Sequence, residues 1–322
     1  MYVLTAKIEI GLNLLRRVAE VEIERSINTL GSTATITVPT TARLSRVNDA
    51  TSEVETAKQF NPGQAVRIEL GYDDKNRVEF QGYVRRVNPG TPVTVECEDS
   101  IWLLRRKNLL KSWKGTTLKE VLEYILQGTF IKLVGNTPSI TFSTFYLKNV
   151  SPAAALQKLK DDYGLTMYFR ALGELFVGIA SERDGTTVKY TFGRNVIDND
   201  LKWVNEDDTR IKIKAVHIKA DNTRIEKEYG DADGELRTLY FYNLPSSASL
   251  ETVAKEELQK VKRDGYEGSV NTFLLPICDP GNVVRVTDPQ FTDRAGDYLA
   301  EKIKVTWGRS GARRLITLGL KV

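Results

Sequence analysis

Pro62-Gly63-Gln64-Ala65-Val66-Arg67-Ile68 returns later in the chain as Pro280-Gly281-Asn282-Val283-Val284-Arg285-Val286. In each copy Pro-Gly makes a turn, an amide side chain follows, and a strand of β-branched residues begins. A long strand comes next, Phe80–Val87 in the first copy and Tyr298–Thr306 in the second. A glycine-containing turn and a closing strand finish both, Thr94–Glu98 and Leu315–Leu320. The plain reading is that Pro-Gly before a strand is common in any β protein; the shared order of elements reads as a duplicated β unit.

Working outward, Leu4, Ala6, Ile8 and Ile10 alternate with Val3, Thr5, Lys7 and Glu9, a period of two that puts one face on a core. Val18–Arg25 continues it, and Gly31-Ser32 turns into Thr33–Val38. Pro39–Gln59 is polar and weakly patterned, so it reads as a long loop with a helical turn. Ala65–Tyr72, Arg77–Val87 and Pro92–Glu98 are three more strands, joined through Asp73-Asp74-Lys75-Asn76 and Asn88-Pro89-Gly90. Residues 1–99 are therefore expected to form one antiparallel barrel or sandwich.

The period then changes. Thr117-Leu118-Lys119-Glu120 is a capping box opening a helix with an apolar stripe of Leu118, Val121, Leu122, Ile125 and Leu126, stopped at Gly128. A second helix starts at Ser151-Pro152, carries Leu156, Leu159 and Tyr163, and ends at Gly164. Strands Leu165–Arg170 and Glu174–Ala180 follow through Gly173, giving a small α+β domain over 100–182. Strands return at Thr186–Phe192, Leu201–Val204 and Arg210–Lys219, and later at Val270–Leu275, Val283–Thr287, Tyr298–Thr306 and Leu315–Leu320. Between them lies a polar excursion, 221–268, with a third helix at Leu250–Arg263 capped by Ser249 and laced by Glu251–Lys255 and Glu256–Lys260. The expected class is mainly β: two antiparallel barrels, 1–99 and 183–322, flanking an α+β domain.

The composition holds little for catalysis. The 322 residues include one histidine, two cysteines, and 46 Lys plus Arg against 42 Asp plus Glu. That surplus is too small to mark a nucleic-acid binder. Cys97 and Cys278 are expected to be buried thiols. No apolar run is long enough to span a bilayer, and Met1–Lys7 lacks a secretory pattern, so folding in a cytosol is expected. His217 shares its parity with Ile211, Ile213 and Ala215 and has no metal-ligand spacing around it, which predicts a core or interface histidine. Tyr229–Glu235 fails as a calcium loop because Tyr229 and Tyr240 occupy carboxylate positions; it reads as an acidic hairpin turn. Gly308-Arg309-Ser310-Gly311-Ala312 misses the nucleophile-elbow spacing and reads as a turn between strands. Asp161 and Asp162 diverge on a helix. Arg105-Arg106-Lys107 with Lys111 and Lys114 is interleaved with Trp102 and Trp113. Such a cluster serves either phosphate contact and stacking or a helix flank or subunit contact over buried tryptophans. The predicted sequence-level site is accordingly empty: no catalytic residue, metal or cofactor.

Phe60-Asn61-Pro62-Gly63-Gln64, Ile68-Glu69-Leu70-Gly71-Tyr72 and Phe80-Gln81-Gly82-Tyr83-Val84 resemble the first barrel of phage tail baseplate hub proteins of the late-control D type. Glu96–Arg105 is similar to the passage out of that barrel, and Thr117–Leu126 with Ser151–Phe169 to the domain that follows it. Pro280–Val286 and Trp307–Gly311 resemble the second barrel. Such hubs are in turn similar to the N-terminal part of type VI secretion spike proteins. The resemblance implies a non-enzymatic homotrimer whose six barrels form a pseudo-hexameric ring joining a hexameric tail tube to a trimeric spike. Implied partners are the tail tube, spike, baseplate wedge and tape-measure proteins, with DNA passing through the channel unread and no membrane insertion. The implied setting is the tail baseplate of a virion or injection particle assembled in a bacterial cytoplasm, with spike or hydrolase parts on separate chains. The rival readings are a receptor- or carbohydrate-binding module using exposed tryptophans, and a cell-wall hydrolase.

Overall fold

The structure, a computed structural model, describes residues 3–46, 51–179, 186–206, 210–219, 221, 223–242, 250–251, 254–255, 257–258, 262 and 264–322. The first region supplies β1 (Leu4–Ile10), β2 (Asn13–Leu15), β3 (Glu20–Ser26), β4 (Thr33–Val38), β5 (Thr41–Arg46), β6 (Thr51–Glu55), β7 (Ala65–Tyr72), β8 (Lys75–Asn88) and β9 (Val93–Glu98). They lie in the order β3-β4-β9-β8-β7-β1-β2-β5-β6. The period of two is visible in the burial of Ala6, Ile8 and Ile10, of Val21 and Ile23, and of Val66, Ile68 and Leu70. Asp73 and Asp74 turn β7 into β8 with φ of 51° and 60°, the left-handed pair that lets a two-residue turn match strand twist. The expected loop at 39–59 is instead the β5–β6 hairpin followed by a 3-10 turn at Thr56–Gln59. Asn13 and Leu14 of β2 recruit Arg46 and Ser45 of β5, so pairing to a neighbour, not side-chain alternation, makes these strands.

The central region holds β10 (Leu109–Thr117), α1 (Leu118–Leu126), β11 (Lys132–Val134), β12 (Thr141–Val150), α2 (Pro152–Tyr163), β13 (Leu165–Ala171) and β14 (Glu174–Ile179). The capping box forms: Glu120 N donates to Thr117 Oγ1 at 3.3 Å, and Thr117 N donates to Glu120 Oε2 at 3.0 Å. Ser151 caps α2 by accepting from Ala154 N at 3.2 Å, and Gly164 ends it at φ 59°. Strands β10, β11 and β12 are absent from the sequence reading. Leu109-Leu110-Lys111-Ser112-Trp113-Lys114 carries no clean alternation, and among the described residues β10 and β12 pair only with each other.

The remaining strands are β15 (Thr187–Thr191), β16 (Val196–Asn199), β17 (Lys202–Val204), β18 (Ile211–Ile218), β19 (Arg224–Gly230), β20 (Glu235–Tyr242), β21 (Gly265–Thr272), β22 (Val283–Thr287), β23 (Gly296–Gly308) and β24 (Gly311–Lys321). Strand β23 works twice: Gly296–Leu299 pairs with β22, and Lys302–Gly308 pairs with β3 of the first region. The two β regions thereby join in one sixteen-stranded sheet, and no ladder among the described residues closes either half into a ring. One core serves both, running from Ile8, Ile36 and Val95 to Val270, Val284 and Ile316.

Strand β18 is the middle of a separate three-stranded sheet, β19-β18-β20. Its Val216 and Ile218 enter the core of the central region, while Ile211, Ile213 and Ala215 pack on Leu250 and Ala254. Within the expected third helix, Leu250, Glu251, Ala254, Lys255, Glu257 and Leu258 are helical, and Lys255 Nζ meets Glu251 at 2.8 Å. Its cap Ser249 and the Glu256–Lys260 pair lie outside the described residues. The stretch 221–268, expected to be helical, also contains β19 and β20. The charged side chains of β19 mask its period but pair across to β18, Glu226 with Lys214 at 2.6 Å and Glu228 with Lys212 at 3.2 Å. Tyr229–Glu235 is not a hairpin turn, since β19 and β20 lie on opposite sides of β18. The chain crosses under the start of β18, where Asp231 N donates to Ile211 O and Asp231 Oδ2 accepts from Ile211 N, each at 3.0 Å.

Candidate functional site

The two Pro-Gly turns repeat hydrogen bond for hydrogen bond. Gly63 N donates to Val84 O at 2.8 Å, Val84 N to Gln64 O at 2.9 Å, and Asn61 N to Gln64 Oε1 at 3.0 Å. In the second copy Gly281 N donates to Ala300 O at 2.9 Å, Ala300 N to Asn282 O at 2.8 Å, and Asp279 N to Asn282 Oδ1 at 3.0 Å. Gly63 and Gly281 stand at φ 92° and 89°, a region costly for any residue with a Cβ. Each turn thus hands a short strand to a long one in the same way, and the amide at the third position is needed for its side-chain acceptor.

Between the two copies runs a polar seam. Arg314 is fully buried and donates to Glu79 Oε1 at 2.7 Å, to Leu274 O at 3.2 Å and to Cys278 O at 3.2 Å. Leu274 N reaches Tyr72 Oη at 3.4 Å, and Arg25 pairs with Asp279 at 2.6 Å. Along the β3–β23 junction Lys302 meets Glu24 at 2.8 Å and Lys304 meets Glu22 at 3.0 Å. The surface pairs contribute little; the buried pair fixes geometry, because any shift that parts Arg314 from Glu79 strands a charge out of water. Glu79 points inward because β8 bulges. Phe80 pairs with Ile68 and Val78 with Glu69, leaving Glu79 as the extra residue.

A second junction ties the first β region to the central one. Asp99 Oδ2 accepts from Ser32 N at 2.6 Å and Oδ1 from Ile101 N at 2.9 Å. Burial pushes its carboxyl up to about 7 against the lowering effect of those amides. Lys160 Nζ donates to Ile27 O at 3.1 Å, Asn28 O at 2.7 Å and Met167 O at 3.2 Å, and burial pushes its ammonium down to about 8. Gly82 passes so close that a Cβ there would lie 2.1 Å from Glu98 O.

The sequence-level candidates are scattered across these regions. His217 is buried beside Ile225 and Phe241, and burial, then Lys219, lowers its pKa. Asp161 accepts from Gln157 at 2.8 Å. Arg105 pairs with buried Glu98 at 3.1 Å, Arg106 covers Trp102 at 4.7 Å, and Lys107 donates to Gln127 O at 2.5 Å, capping α1. Lys111 lies over Trp113 and Tyr124 at 4.9 and 4.2 Å. Among the described residues, four of the cluster's five cations, all but Lys114, are engaged by protein partners, as the helix-flank alternative expects. Trp307 is buried, and Trp102, Trp113 and Trp203 are half-buried, so none offers the exposed platform a sugar-binding module needs. Cys97 and Cys278 are buried free thiols.

Arg314 was legible by parity, since it falls on the inward series Ala312, Ile316 and Leu318, where a charge demands a partner. Glu79, Lys160 and Asp99 carried no such signal: a bulge, a tertiary clasp and a junction turn set them.

No family model matches the sequence, and no curated protein matches it. Among solved structures, the 43 kDa tail protein of prophage MuSo2 from Shewanella oneidensis is 16% identical, with a TM-score of 0.65 over 99% of this chain and 98% of that one. The tail protein from Neisseria meningitidis MC58 is 15% identical, with a TM-score of 0.64 over 100% and 97%. An Escherichia coli component of the type VI secretion system, structurally similar to the phage T4 tail proteins gp27 and gp5, is 10% identical, with a TM-score of 0.55 over 98% and 74%. At these identities the likeness is one of fold, and over almost its whole length this chain has the fold of phage tail proteins.

Proposed function

We propose that this chain is a structural hub of a phage-like tail baseplate, a homotrimer that adapts threefold to near-sixfold symmetry. The observation that carries this is the bond-for-bond repeat of the two Pro-Gly turns. Two similar β units in one chain give a trimer six similar faces, which a hexameric tube can meet, while the chain itself keeps threefold register with a spike. The reading divides the chain near 99 and 182, with 1–99 and 183–322 supplying the ring and 100–182 lying beside it. The sealed Arg314–Glu79 pair suits this role, since a ring keeps its bore only if the two units hold one angle. The proposed partners are the tail tube, spike, wedge and tape-measure proteins, with DNA passing the channel without sequence recognition. The proposed setting is a virion tail or injection particle assembled in a bacterial cytoplasm.

The role is non-catalytic on this reading. The single histidine is buried, with its pKa lowered by burial, and Asp161 is held by Gln157. Native mass spectrometry with negative-stain averaging tests the proposal. A trimeric ring with a central hole and six outer lobes is expected. A compact monomer, unchanged when its cognate tube protein is added, overturns it.

A further inference from the structure

The β10–β12 ribbon belongs to neither the seam nor the sixteen-stranded sheet, and among the described residues no strand pairs with the outer edge of either of its strands. Its inner face, Trp113 with Phe145 and Lys111 with Leu147, turns toward the central core. Its outer face pairs Leu110 with Lys148, Ser112 with Tyr146 and Lys114 with Thr144. Leu110 is 75% exposed and Tyr146 71%, and they are diagonal neighbours on that face. Neither strand contains an acidic residue, so Lys114 and Lys148 flank the apolar pair with no counter-charge on the ribbon. Proteins usually blunt such edges or cover them.

We infer that this ribbon is a docking site for an extended acidic segment of another protein, added as a third strand. The free backbone edge would give register. Leu110 and Tyr146 would take the segment's apolar side chains, and Lys114 and Lys148 its carboxylates. The charge of the face selects the occupant: a basic segment gains nothing from two unpaired lysines, whereas carboxylates on the facing side of the added strand answer both. The cations of the neighbouring Arg105–Lys107 run already hold Glu98, Trp102 and Gln127, which argues against a continuous track for nucleic acid. The inference does not depend on the oligomeric state proposed above.

The probe is a fluorescein-labelled ten-residue peptide in which every second residue is by turns glutamate and valine, with threonine between, so that both types share one face of the strand; it is titrated with the full chain and followed by anisotropy. Saturable binding is expected, weakened at least tenfold in Lys114→Glu/Lys148→Glu and at least fivefold in Leu110→Ser/Tyr146→Ser. A lysine–valine peptide should bind the charge-reversed variant in preference to the native chain, a gain that misfolding cannot produce. N-methylation of every peptide amide should abolish binding, because strand addition needs the N–H groups on whichever edge faces the ribbon. No binding at millimolar peptide, equal binding to the variants, or indifference to N-methylation overturns the inference. So does tight binding of an oligothymidylate that the peptide fails to displace, which would assign the face to nucleic acid.

Discussion

Replacing Arg314 by methionine removes the guanidinium from the seam while keeping most of the side-chain volume. The carboxylate of Glu79, 3% exposed, is left without its partner, and Leu274 O and Cys278 O lose their donors. Breaking a buried pair from one side costs about 3–5 kcal/mol, and the two carbonyls lie within that range. Converting both partners, Arg314→Met with Glu79→Leu, removes the stranded charge and leaves mainly the two carbonyls, about 1–2 kcal/mol. The double variant should therefore be more stable than Arg314→Met alone by about 2–3 kcal/mol, where additive losses would make it less stable. Urea denaturation followed by fluorescence and circular dichroism together measures this, the coincidence of the two signals testing whether the shared core unfolds as one unit. A loss under about 1 kcal/mol in Arg314→Met, or strictly additive losses, would refute the view that this pair fixes the angle between the β units.

Other consequences concern single junctions. Lys160→Met should cost about 2 kcal/mol, read as a lower melting temperature, because three carbonyls lose an ammonium donor. Asp99 has a folded-state pKa raised to about 7, so its protonated form favours folding below its unfolded value near 4 and that contribution fades as pH rises through 7. Melting temperatures between pH 4 and 7 should fall less steeply in Asp99→Asn than in the native chain. Gly63→Ala and Gly281→Ala should each cost about 1–3 kcal/mol in denaturation from left-handed strain. Gly63→Ala should cost more, since its Cβ would lie 2.8 Å from Trp102. Cys97 and Cys278 should resist alkylation at pH 8 until the protein unfolds, Cys278 because burial pushes its thiol up to about 12 and Cys97 for the same cause.

What the sequence revealed was local chemistry. The capping box at Thr117–Glu120, the Ser151–Gly164 helix and the paired Pro-Gly turns are each set by residues adjacent in the chain, so reading them needs no knowledge of distant partners. Strands β5, β6, β10 and β12 are different. Their composition barely alternates, and they exist because a neighbour offers a ladder. The same holds for the seam, where a bulge turns Glu79 inward and only the fold brings it to Arg314, 235 residues away. The basic cluster was visible as a cluster, but not that Glu98, Trp102, Tyr124 and the end of α1 engage Arg105, Arg106, Lys111 and Lys107 while Lys114 stays open among the described residues.

The pairing of β3 with β23 has a consequence for how the protein is made. Ser26 and Glu301, which share a hydrogen bond across that junction, are separated by 275 residues. At ribosomal rates of roughly 5–20 residues per second, β3 emerges on the order of 15–55 s before the strand that covers it. Through that interval the nascent chain presents a bare edge rich in valine and isoleucine, flanked by Glu20, Glu22 and Glu24. Glu22 and Glu24 later meet lysines of β23, and beforehand the mutual repulsion of all three glutamates disfavours β3 of one nascent chain annealing to β3 of the next. The same side chains act first as a guard on the ribosome and then as half of the closure.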